Sequence, residues 1–302
     1  MSNLQPTSNK PLGTFIKALN EAVTPVAKSR TYTAQITRET PAAFIFMIDQ
    51  SGSMSNKLTF ANQEMSKAEA VARIINKTFN ELISRCTKND GIRDYAYIAL
   101  IGYGGKSDEE ANFAWTGKLE GKSFVSISQL YEGHIGIGGR NQRKWIEPIA
   151  QHKTPMHNAF LKAKELVQQW IQQHQNKDIY PPTIINITDG AATDADEKTL
   201  LQTVSEIKQL ATLDGSTLVF NIHITEKQER PPITFPTHRN QLPNDTYAQL
   251  LYDLSSELPE IYHSEIANYK NQDIATSYVG MAYNADIDIL IRMLNVGTST
   301  IK

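Results

Sequence analysis

A single cysteine in 302 residues leaves no partner for an internal disulfide. Cys86 falls inside an apolar helical pattern, which fits a small core residue in a reducing compartment better than half of a bridge. Uninterrupted apolar runs are short: none approaches the roughly 18–20 residues that would span a bilayer. Met1 to Gly13 is polar and interrupted by Pro6 and Pro11, with neither a basic start nor an apolar stretch, so no export signal is expected. No lipidation motif is read at either end. Net charge is also missing, because 30 basic and 32 acidic residues leave a formal −2. A field that would gather nucleic acid or an anionic membrane is therefore not expected. These absences point to a soluble, cytoplasmic protein.

The sequence does contain enough apolar residues, 40%, to fill one sizeable core. Phe15, Ile16, Leu19, Ala22 and Val23 give a short amphipathic helix over Thr14–Val23, behind a loose tail. Ala42–Ile48 is continuously apolar, the signature of a strand buried on both faces. Ser66 and Glu69 form a capping-box pattern, followed by Val71, Ile74, Ile75, Phe79, Leu82, Ile83 and Cys86 at helical spacing. Tyr95–Tyr103 predicts a second strand, with Asn112–Leu119 as its hairpin partner. Thr154 and Pro155 read as N-cap and first position of a helix carrying Ala159, Phe160, Ala163, Leu166, Val167, Trp170 and Ile171.

Beyond it come a strand at Thr183–Thr188, a helix over Asp196–Ala211, a strand over Ser216–Thr225 and a helix over Thr246–Ser255. Between the last two, Pro231, Pro232, Pro236 and Pro243 make Glu226–Asp245 a long surface loop. A closing helix capped by Asn284 places Ile287, Leu290, Ile291 and Leu294 on one face. Alternating strands and helices predict a doubly wound, mostly parallel α/β sheet with helices on both faces. The chain divides into an N-terminal arm (1–40), the main domain (41–265) and a C-terminal extension whose helix packs on that domain (266–302).

The chemistry concentrates at strand ends. Asp49-Gln50-Ser51-Gly52-Ser53 sets three oxygen-bearing side chains at alternate positions directly after the first strand. Asp189-Gly190 follows the Thr183–Thr188 strand, and Thr154 supplies a third loop. Open doubly wound sheets bind ligands outside the carboxyl ends of strands where the strand order reverses. If the two strands are neighbours, both aspartates face one point. Oxygen donors without His or Cys suit a hard cation, Mg²⁺ or Mn²⁺, rather than zinc.

Asp49-x-Ser51-x-Ser53, Thr154 and Asp189 together resemble the metal-ion-dependent adhesion site of von Willebrand factor A domains. The surrounding residues, Met54 and Thr188-Asp189-Gly190 with Thr193-Asp194 beyond, are also similar, and the resemblance covers roughly 41 to 262. It implies that Ser51 and Ser53 ligate the ion directly, Thr154 directly or through water, and Asp49 and Asp189 mostly through water. It further implies a protein partner that presents Asp or Glu to the remaining coordination position. Intracellular bacterial members accompany ATPases, kinases or phosphatases, which makes these the expected partner class.

Competing readings are weaker. Gly105-Lys106-Ser107 ends like a phosphate loop, but Leu100 stands where that motif requires Gly. Gly136-Ile137-Gly138-Gly139 lacks dinucleotide-binding spacing. Arg140, Arg143 and Lys144 beside Trp145 read as a solvated loop, a nucleic-acid contact or a basic rim that steers an acidic partner. His157 lies near Thr154 and reads as a helix-surface residue. Asp49 could act as the nucleophile of a Mg²⁺-dependent phosphoryl-transfer hydrolase, yet Ser51 replaces the aspartate such an enzyme wants two positions on. The expectation is a binding protein, not an enzyme.

Overall fold

The computed structural model describes residues 32–60, 63–137, 143–225 and 231–301. The helix expected over Thr14–Val23 lies outside them, as do Gly138, Gly139 and Arg140. Five parallel strands form the centre: β1 (Ala42–Asp49), β2 (Ala96–Tyr103), β5 (Thr183–Thr188), β6 (Leu218–Ile224) and β8 (Met281–Ala285). Short antiparallel strands finish the edges, β3 (Ala111–Phe113) and β4 (Val125–Ser126) against β2, and β7 (Ile233–Thr234) against β8. The order across the sheet is β7-β8-β6-β5-β1-β2-β3. From β1 the chain winds one way to β2, then returns to the other side of β1 for β5, β6 and β8. The reversal therefore falls between β1 and β5, where the parallel register pairs Ile48 with Ile187.

Strand alternation sorts the core into two layers. Phe44, Phe46 and Ile48 face α1 (Lys67–Cys86), α2 (Ile127–Glu132) and, over β5, β6 and β8, α7 (Ile287–Gly297). Ile45 and Met47 face α3 (Met156–Gln173), α4 (Glu197–Gln209) and α5 (Thr246–Leu254). The Ser66–Glu69 capping box forms, and Phe79 meets Phe46 edge-on at 5.3 Å. Each fully buried side chain on this face of α1 contributes about 1.5–3 kcal/mol of burial, which fixes the helix against β1. Cys86 is buried at its end, and burial pushes its thiol up to about 11.

Several elements differ from the sequence reading. Residues Lys57–Phe60 and Gln63–Ser66 form an antiparallel ribbon where only a polar turn was expected. The hairpin strand expected over Asn112–Leu119 is confined to Ala111–Phe113, and Gly117–Leu119 makes a 3-10 turn instead. The proline-rich stretch supplies the edge strand β7. Residues 266–302 contribute, besides α6 (His263–Lys270) at their start and the closing helix, a parallel strand of the main sheet. Asn284 is no helix cap. It lies inside β8 at φ +55°, beside a register shift in β6, while Asp286 caps α7 by accepting Ile289 N–H at 2.8 Å. Among the described residues no helix is long and apolar enough to cross a membrane.

Candidate metal centre

Three loops meet at the carboxyl ends of β1 and β5. Asp49 is buried, and both its oxygens are engaged: Oδ1 accepts Ser51 N–H at 2.9 Å and Oδ2 accepts the Thr188 hydroxyl at 2.9 Å. The first bond sets the turn, and the second ties the end of β1 to the end of β5. Ser51 Oγ lies 3.2 Å from Ser53 Oγ, and the Ser53 hydroxyl donates to Asp189 Oδ1 at 2.7 Å. The structure thus gathers Asp49, Ser51, Ser53 and Asp189 into one hydrogen-bonded cluster. Ser53 faces solvent, whereas the side chains of Asp49, Ser51 and Asp189 do not.

The third loop is held against the first two by its backbone. Gln151 N–H donates to Gln50 O at 2.8 Å, and Gly52 N–H donates to His152 O at 2.9 Å. Thr154 N–H donates to Thr193 Oγ1 at 3.0 Å, and Thr193 N–H returns to Thr154 O at 3.0 Å. Thr154 does not cap α3, as its sequence position suggested: Pro155 occupies the N-cap position. The Asp194 carboxylate takes that role from across the site, accepting His157 N–H at 3.1 Å and Asn158 N–H at 2.8 Å. Thr154 is itself buried beside its backbone pair with Thr193.

Gly104, after β2, makes this close approach possible. Its φ is +81°, and a Cβ there would stand 2.2 Å from Lys153 O and 3.0 Å from Ser51 Cα. Gly104→Ala is expected to cost about 1–3 kcal/mol and to push the loops carrying Ser51 and Thr154 apart. A urea-unfolding midpoint no lower than wild type would contradict that.

Lys67, the first residue of α1, completes the cluster and had no motif to announce it. Its ammonium lies 2.9 Å from Asp189 Oδ2, with 4% and 1% of the two side chains exposed. Its backbone N–H donates to Asn56 O at 2.9 Å, so the intervening ribbon leaves and re-enters the site at nearly one point. A lysine at a helix N-terminus opposes the macrodipole. That local conflict was the available sequence signal. Burial pushes Asp49 up to about 6 despite the hydrogen bonds from Ser51, and the Asp189 carboxylate adds to the rise.

Below the cluster runs a chain of satisfied polar groups. The Tyr103 hydroxyl donates to Asn186 Oδ1 at 2.8 Å, Asn186 to Asn221 at 3.1 Å, and Asn221 to Ser255 Oγ at 3.1 Å. The Tyr247 hydroxyl holds Gly190 O, and the His223 ring packs edge-on to Tyr247. Burial lowers His223 to about 4. His157 turns away to Thr203 on α4, at 3.0 Å. Arg143 stacks over Tyr131 at 4.0 Å, Lys144 pairs with Glu147 at 3.2 Å, and Trp145 is buried.

The donor set fits a hard cation. Two buried carboxylates, one of them paired with Lys67, and three hydroxyls stand on adjoining loops. Among the described residues no group of three or more His, Cys, Asp or Glu side chains that could hold a metal ion is assembled.

The sequence matches no protein-family model and no curated relative. Solved structures are similar at a distance. The von Willebrand factor domain of a type V pilus tip protein from Porphyromonas gingivalis is 11% identical, with a TM-score of 0.44, over 87% of this chain and 97% of that one. An aerotolerance-related membrane protein from Bacteroides fragilis is 14% identical, with a TM-score of 0.36, over 84% and 96%. A von Willebrand factor type A protein from Catenulispora acidiphila is 14% identical, with a TM-score of 0.37; the match covers 62% of this chain and only 34% of that one. The doubly wound α/β architecture itself rests on the strand order and registers described above.

Proposed function

We propose that this chain is a von Willebrand factor A-type interaction module that binds an acidic side chain of a partner protein through Mg²⁺ or Mn²⁺. Ser51, Ser53 and Thr154 would hold the ion, with Asp49 and Asp189 acting mostly through water. The bound cation would supply an electrophilic position for an external carboxylate. The observation that carries this reading is the convergence of the Ser51 and Ser53 hydroxyls with the Asp189 carboxylate at the sheet's reversal point, with Ser53 open to solvent. Mainly neutral ligands leave a divalent ion under-neutralised and receptive to an anion.

Binding is favoured over phosphoryl transfer because Asp49 is 1% exposed and spends both oxygens on internal hydrogen bonds. A nucleophile needs one of them free. The proposed partners are proteins of the ATPase, kinase or phosphatase class, met in the cytoplasm. Affinity capture in Mg²⁺ buffer is expected to yield partners that are lost with EDTA and lost again from Ser53→Ala, an exposed change that spares the core. A validated partner held equally in EDTA would reject the reading.

A further inference from the structure

Between Ser53 and α1 the chain inserts the antiparallel ribbon of Lys57–Phe60 and Gln63–Ser66, for which the metal centre alone has no use. Resting on the metal-centre reading, we propose that the outer edge of Lys57–Phe60 is a docking strand. An extended acidic segment of the partner would pair with it as a third strand and so deliver its Asp or Glu to the metal.

The pairing fixes which backbone groups face outward. Lys67 N–H donates to Asn56 O at 2.9 Å, and Lys57 stands opposite Ser66. Hydrogen-bonded and non-hydrogen-bonded positions alternate along an antiparallel pair. Leu58 therefore spends its amide and carbonyl on Met65, whereas those of Lys57 and Thr59 point away from the ribbon. Among the described residues this sheet has two strands, so no third strand covers that edge. The opposite edge is shut at its base, where Ser66 N–H donates to Glu69 Oε2 at 2.8 Å. Leu58 and Met65 are buried in the core layer that contains α1, which anchors the ribbon, while Lys57 and Thr59 are exposed. A lysine on an edge strand often serves to repel other strands. Here the Lys57 ammonium lies 3.2 Å from Glu64 Oε2, drawn across the ribbon's outer face and off the backbone edge.

Such an edge matches another extended backbone, and it begins at the metal centre. Asn56, the residue before it, donates its N–H to Ser53 O at 3.0 Å. An extended chain advances about 3.3 Å per residue, so a side chain two or three positions past the residue opposite Lys57 reaches the exposed Ser53. A carboxylate at that position meets the ion. Main-chain hydrogen bonds at Lys57 and Thr59 then add affinity and direction that a lone carboxylate lacks. A helical segment has its amides and carbonyls paired internally and could use the metal alone.

The test selects a displayed library of random dodecapeptides on the full chain in Mg²⁺, then measures the selected peptides, made synthetically, with and without EDTA and with each backbone amide N-methylated in turn. Mg²⁺-dependent peptides carrying Asp or Glu are expected. N-methylation should weaken them about tenfold at alternate residues and little at the residues between, the period of a strand paired along one edge. Thr59→Pro, which removes an outward N–H and none inside the ribbon, should weaken them by a similar factor while binding Mn²⁺ as wild type does. Mg²⁺-dependent peptides that tolerate N-methylation throughout, or that bind Thr59→Pro as tightly as wild type, overturn the docking strand and leave the metal centre intact. If Thr59→Pro does not fold, the N-methylation pattern on wild type decides alone. Mn²⁺ binding by wild type with no Mg²⁺-dependent peptide selected also overturns the docking strand, whereas absence of Mn²⁺ binding by wild type removes the metal-centre reading itself.

Discussion

Asp189→Ala is expected to lower stability by about 3–5 kcal/mol and to abolish binding of a divalent metal. The carboxylate it removes accepts both the Lys67 ammonium and the Ser53 hydroxyl. A pair this enclosed gains little when formed, because both charges were stripped of water. Breaking it is expensive, since the ammonium stays buried after losing the Asp189 charge. Lys67→Met in the same chain should restore most of the loss, because the two positions are directly coupled. Urea unfolding in EDTA measures both. A deficit below about 1 kcal/mol would show that the pair behaves as a surface ion pair.

Asp49→Asn is expected to do the opposite to the metal-free protein, raising its stability at neutral pH by up to about 3 kcal/mol while impairing metal binding. Burial, first among the causes, lifts the folded-state carboxyl from 3.8 to about 6. The folded state therefore holds the proton more tightly than the unfolded state, and ionised Asp49 costs stability above that range. Acidification from about pH 6 to about pH 4 relieves the cost. His223 has the reverse sign: burial lowers it from 6.5 to about 4, so stability is full above the unfolded value and lost as pH falls through that range. In wild type the two slopes oppose each other over nearly the same window. Removing the Asp49 titration should expose the His223 slope, giving a variant more stable than wild type at neutral pH but steeper in its acid loss. The neutral amide keeps one oxygen as an acceptor, and the Thr188 hydroxyl can rotate to accept from its nitrogen. Thermal unfolding in EDTA from pH 4 to pH 7 checks this; a variant less stable than wild type at neutral pH would contradict it.

The central strands were legible because burial on both faces leaves continuous apolar text, as in Phe44-Ile45-Phe46-Met47-Ile48 and in Ile184-Ile185-Asn186-Ile187. The strand Met281–Ala285 was not, since Met-Ala-Tyr-Asn-Ala has no β-branched residue and its backbone is bent at Asn284. Thr154-Pro155 looked like a local cap, yet the amides it should have satisfied are met by Asp194, 37 and 36 residues away from His157 and Asn158. Such a tertiary cap leaves no local spacing to read.

At the candidate site, alternation in Asp49-x-Ser51-x-Ser53 and the strand-end position of Asp189 indicated which side chains could converge. The ammonium among them was hidden by the ribbon that separates Ser53 from Lys67. Only after Lys57–Phe60 and Gln63–Ser66 pair back on one another does the start of α1 reach Asp189.

Anomalous diffraction from crystals grown in MnCl₂ would examine the metal directly at the point where the Asp49, Thr154 and Asp189 loops meet. One manganese peak within bonding distance of the Ser51 and Ser53 hydroxyls is the predicted result. A map with no peak there at saturating Mn²⁺, and Lys67 still bonded to Asp189, would contradict the account.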